Sequence, residues 1–136
     1  MNERISDKIR EIEEHLEQLE EIKPDYLKDY IQDFKIRAAC ERLTEKIIEG
    51  IVDLAFLIIK EKNFDSPEND LETFDILLEN KIIQEKLAKK LQDAKRMRNI
   101  LAHEYGKVND EIIFYSIKEE LGNDVMDFIR AIKVIL

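Results

Sequence analysis

Arg98, Asn99, His103 and Tyr105 fall within eight residues near the end of the fourth helical segment. Asn99 and His103 are four apart and share one helix face, so the amide can orient the imidazole. Arg98 and His103 are five apart, which puts them about 140° apart around the axis and about 7.5 Å along it. One helix cannot easily aim both at one atom. Two copies related by a two-fold axis would bring two Arg and two His into one cleft. Such a cleft suits RNA cleavage without metal: imidazole takes the 2′-hydroxyl proton or protonates the leaving oxygen. Guanidinium answers the negative charge that builds on phosphate. Lys95, Arg96 and Lys107 make this neighbourhood the most basic in the chain and are candidate RNA phosphate contacts. From spacing alone the signal is weak, and two exposed polar residues on a helix are the favoured reading.

These residues must be held by helices. Three Gly and two Pro in 136 residues leave little room for turns, and strand-like alternation is scarce. The first helix, about Ile5 to Ile22, carries Ile5, Ile9, Ile12, Leu16 and Leu19 at steps of four and three. Its glutamates form a solvated face, and Pro24 ends it. A second helix spans Asp33 to Lys62, with a short helical lead-in from Tyr26. Its inward stripe is read as Phe34, Ala38, Leu43, Ile47, Ile51, Leu54, Ala55 and Ile58. Beyond Ile47 it is apolar over more than half its circumference, as befits the centre of a bundle or a contact with another subunit. Asp53 there is a satisfied buried acid, a helix-edge charge or a site residue.

Ser66-Pro67 resembles an N-cap with proline at the first helical position, leading to a short helix from Leu71 to Leu78. The fourth helix, Ile83 to Tyr105, has the stripe Leu87, Leu91, Ala94, Met97, Leu101, and Gly106 is placed for a C′ cap. Asn109 or Asp110 caps the last helix, Glu111 to Val134, whose core face is Ile113, Ile117, Leu121, Val125 and Phe128. The expectation is one all-α domain over 1–136.

Composition narrows the function. A net charge of −9 argues against broad, sequence-blind binding to phosphate backbone. The single Cys40 permits no internal disulfide and reads as a small core residue or a reactive thiol. With His15 and His103 the only histidines, no metal-ligand spacing is found. Neither a signal peptide nor a membrane span is evident, so a cytoplasmic protein is expected.

The string Arg98-Asn99-Ile100-Leu101-Ala102-His103-Glu104-Tyr105 resembles the R-N-x-x-x-H-x-Y signature of HEPN-domain proteins, specifically the HepT-type toxins of HEPN/MNT toxin–antitoxin pairs. The resemblance covers nearly the whole chain. It implies a HEPN-type helical bundle: a four-helix up-and-down core plus one short helix, forming a homodimer with a composite cleft. It implies a metal-independent endoribonuclease acting on tRNA or mRNA without a cofactor, with Arg98 and His103 catalytic and Asn99 supporting. The implied partner is a minimal nucleotidyltransferase (MNT) antitoxin of a type VII system, which transfers AMP to Tyr105. Without the resemblance Tyr105 is a cap-packing aromatic. The alternative function is a non-catalytic HEPN accessory subunit that docks a nucleotidyltransferase or nucleotide.

Overall fold

The computed structural model describes residues 2–103 and 108–136, and the described residues are all helical or coil. Asn2 caps α1 (Glu3–Ile22), its side chain accepting from the Arg4 amide. A short α2 (Leu27–Gln32) realises the lead-in after Pro24. Asp33 then caps α3 (Phe34–Glu61) through the Lys35 and Ile36 amides. Next come α4 (Asp70–Glu79) and α5 (Glu85–His103). The last helix divides into α6 (Asp110–Tyr115), a π-helical turn (Ser116–Leu121) and α7 (Gly122–Ile135). With α6 to α7 taken as one rod, four long helices form the bundle, and α2 and α4 are the short additions.

α3 is the centre. It runs antiparallel to α1, as three contacts show: Asn2 with Glu61, Lys8 with Asp53, and Gly50 against Ile12. A Cβ on Gly50 would lie 2.7 Å from Ile12 Cγ1, so the absent side chain sets how closely the two helices approach. Ile47, Ile48, Ile51, Val52, Leu54, Ala55, Ile58 and Ile59 are all buried within this one chain. The apolar breadth of α3 is therefore accounted for by its place in the bundle.

The beginning of α3 departs from the expected stripe, since Phe34 is 65% exposed and Ala38 is exposed too. The pairing of α1 with α3 explains this. If 2 lies opposite 61 and 8 opposite 53, then Ile22 falls near Cys40, and α1 has no residues left to cover what precedes it. Asp53 is a helix-edge charge, 59% exposed at its side chain and 3.5 Å from Lys8 Nζ. Cys40 is a core residue: burial, then Glu41, push its thiol up to about 11, so it stays protonated and unreactive. Ser66-Pro67 does not start a helix. Asn69 caps α4 instead, accepting from the Glu72 amide at 3.0 Å, and Glu72 returns a carboxylate to the Glu68 amide.

The π turn answers a feature of the sequence. Ile113, Ile117, Leu121 and Val125 recur at steps of four, which drift about 40° per step around an α-helix. A wider turn between Ser116 and Leu121 takes back part of that drift. All four, with Phe128, are buried as expected.

Asp124 on α7 is 9% exposed. Burial raises its carboxyl above the ordinary range, although Lys90 Nζ at 3.5 Å pulls the other way; Glu120 and Asp127 add to the rise. A raised folded-state value means that the folded chain holds the proton more tightly than the unfolded one. The ionised form therefore costs stability at neutral pH, and this cost vanishes as pH falls below the unfolded value. Asp124→Asn is expected to be more stable than wild type in urea at pH 7, with the advantage shrinking towards pH 4.

Candidate active site

α5 carries the site, and its two edges meet different neighbours. On one edge Arg98 packs towards α3, where a terminal guanidinium nitrogen donates to Glu49 Oε1. Its side chain is 19% exposed, and its Nε is buried without a hydrogen-bond partner. The guanidinium is thus ordered from the α3 side and still has donor capacity. On the other edge, Arg96, Asn99 and His103 form one stripe at steps of three and four. His103 is exposed and Asn99 half-buried. Arg96 is exposed and held 2.8 Å from Asp93.

Asn99 does not direct its carbonyl to His103. Its Oδ1 accepts from Lys95 Nζ at 3.0 Å, and the same ammonium lies 3.2 Å from Asp70 Oδ2. Lys95 is buried, enclosed between α4 and α5. Tyr105, Lys107 and the Gly106 cap lie outside the described residues.

Sequence reasoning missed Glu49 and Asp70. Glu49 lies one turn from Asp53, the acid that stood out for its apolar neighbours, and an i, i+4 step from Asp53 is the one local cue to it. Asp70 reads in sequence only as the end of a loop.

A groove of about 430 Å³ along α5 is floored by Met97, Ile100, Ile112 and Leu121, on the side away from Arg98. Among the described residues no cluster of three or more His, Cys, Asp or Glu side chains is placed to hold a metal ion. No helix among them is long and apolar enough to cross a membrane.

A central α3 flanked by α1 and α5, with Arg, Asn and His on the last turns of α5, defines a HEPN-type helical bundle. A family model for ribonuclease HepT-like proteins matches residues 12–132, and the chain belongs to that family, the HEPN toxins of HEPN/MNT toxin–antitoxin systems. The chain is 26% identical over 133 residues to the mRNA nuclease HepT of Shewanella oneidensis, covering 98% of each. It is 28% identical over 104 residues to the tRNA nuclease HepT of Aphanizomenon flos-aquae, covering 76% of this chain and 69% of the other. Among solved structures, the tri-AMPylated Shewanella oneidensis HEPN toxin in complex with its MNT antitoxin superposes with a TM-score of 0.92. That match has 25% identity and covers 98% of this chain and 99% of the other.

Proposed function

We propose that this chain is a metal-independent endoribonuclease toxin, acting through a cleft shared by two copies and silenced by AMP transfer to Tyr105. The observation that carries this reading is the family match, which runs from residue 12 to residue 132 and includes Arg98, Asn99 and His103 on α5. The 140° offset of Arg98 from His103 supports a two-fold composite site.

In this reading His103 removes the 2′-hydroxyl proton of the RNA, the freed oxygen attacks the neighbouring phosphorus, and the 5′-oxygen leaves. A second imidazole at the dimer cleft can supply that leaving oxygen with its proton. Arg98 faces the phosphate oxygens as charge accumulates, with Glu49 holding the guanidinium in place. Arg96 is a phosphate contact at the rim, and Lys107 another. Lys95 is assigned to support, because its ammonium is enclosed by Asp70 and Asn99.

The MNT partner would join the Tyr105 hydroxyl to the α-phosphorus of ATP with loss of pyrophosphate. Each added AMP brings negative charge beside the anion site and repels RNA. The test is cleavage of tRNA and mRNA by the purified chain in excess chelator, before and after treatment with an MNT-type nucleotidyltransferase and ATP. Cleavage that survives chelator and stops with AMP-sized mass increments on the Tyr105 peptide is the expected result. Loss of cleavage on chelation would defeat metal independence, and an unmodified Tyr105 would defeat the regulation.

One observation favours the accessory-subunit reading: Arg98 already has a carboxylate partner inside an acidic chain. In that case the chain would bind the nucleotidyltransferase tightly and leave RNA intact at any concentration.

A further inference from the structure

The geometry points to Lys95 as a positioning residue, anchored on Asp70, that locks the side-chain amide of Asn99 in one of its two orientations. This rests on the ribonuclease reading only for what the locked amide is used for. An asparagine side chain ends in an acceptor oxygen and a donor nitrogen of nearly the same shape, so a flip exchanges them at little steric cost. An ammonium can only donate. With Lys95 Nζ 3.0 Å from Oδ1, the oxygen is committed to the buried ammonium, which leaves the donor Nδ2 as the end of the amide that can meet a ligand at the half-buried Asn99. The hydrogen bond is charge-assisted, and it forms where little water competes, since Lys95 is 8% exposed.

Lys95 is itself held from a second helix. Asp70 Oδ2 lies 3.2 Å from Nζ, and Asp70 is the first residue of α4, directly after the Asn69 cap. Gln92, one turn before Lys95, donates to the Leu71 carbonyl and to Asp75 Oδ1, both at 2.9 Å. The α4–α5 seam is therefore tied again one turn before the ammonium. The chain of influence runs from α4 through Asp70 and Lys95 to the amide of Asn99. Its consequence is a donor, rather than an acceptor oxygen, facing the place where phosphate would lie. A flipped amide would present a partial negative charge to an anion.

The experiment compares Lys95→Met, Asn99→Ala and the double variant, with thermal melts to confirm folding. In single-turnover RNA cleavage Lys95→Met is expected to lower kcat about tenfold or more, the scale of one charge-assisted hydrogen bond, with KM within about twofold. In the Asn99→Ala background the same change is expected to have no further effect, because its route is gone. Equal losses in both backgrounds, with the salt slope of RNA binding reduced by about one, would show a direct phosphate contact and overturn the proposal. So would wild-type kcat in Lys95→Met. Asp70→Ala, at a side chain 46% exposed, is a second variant should Lys95→Met fold poorly. It is expected to give a smaller loss, again absent without Asn99.

A readout independent of activity separates this proposal from the ribonuclease reading. In the RNA-free protein the Asn99 side-chain 13Cγ and NH2 resonances should move, and NH2 exchange should speed up, in Lys95→Met but not in Lys90→Met. Unchanged Asn99 resonances would overturn the positioning role even in an active enzyme. Shifted resonances in a protein that cleaves no RNA would uphold it while the ribonuclease reading fails.

Discussion

His103→Ala is expected to lower RNA cleavage by about 10²–10⁴-fold, the usual contribution of a positioned general acid or base. The fold should be untouched, because the imidazole is exposed and no packed side chain is removed. RNA binding should hold within a few-fold, since the guanidinium and its neighbours remain. Arg98→Ala is expected to differ in kind. It leaves Glu49 without its cation beside the place where phosphate would lie, so both the rate and the affinity should fall. If the site is composite, mixing the two inactive variants should restore part of the activity, because the shared cleft of a mixed dimer keeps one Arg98, from the His103→Ala copy, and one His103, from the Arg98→Ala copy. Rate and affinity measured for each variant and for the mixture check all of this, and wild-type rates in His103→Ala would end the mechanism.

The largest effect on stability is expected at Phe128. Its ring is fully buried and meets Phe74 edge-on at 6.0 Å between centroids, joining α7 to α4 across the core. Phe128→Ala removes a large apolar surface and leaves a cavity that helices on several sides cannot all close. The expected loss is about 3–5 kcal/mol, a drop in Tm on the order of 10 °C or more. Phe34→Ala is the informative control. Phe34 was expected in the core stripe of α3 but lies 65% exposed, so its replacement should change stability by no more than about 0.5 kcal/mol. Urea denaturation of the two variants side by side checks both the magnitude and the contrast.

That contrast shows where periodicity is informative. Spacing of Ile5, Ile9 and Ile12, or of Ile113, Ile117 and Leu121, gave the right buried faces because each stripe has a neighbouring helix along its length. The start of α3 has the same kind of residues but projects past the end of α1, and no local pattern encodes the length of a neighbour. The site divides in the same way. Arg98, Asn99 and His103 could be placed together near the end of one helix because their spacing is a local fact, while the roles proposed for them come from the resemblance. Glu49 and Asp70 were not, since they reach α5 from 49 and 25 positions away, and one sequence carries no trace of such pairings. Lys95 was legible as a positive charge near the site, but its enclosure by two acceptors depends on how α4 docks.

The π turn at Ser116–Leu121 has a consequence for how this protein can change length. In an ordinary helix, losing one residue rotates everything beyond it by about 100° and turns the core face to water. Here the wide turn already holds one residue more than an α-helical path would use. Dropping one of Lys118, Glu119 or Glu120, all exposed, would let the segment rewind as α-helix and leave Val125, Phe128 and Ile132 facing inward. The last helix thus contains a seam where a single codon can be deleted without turning the core face to water.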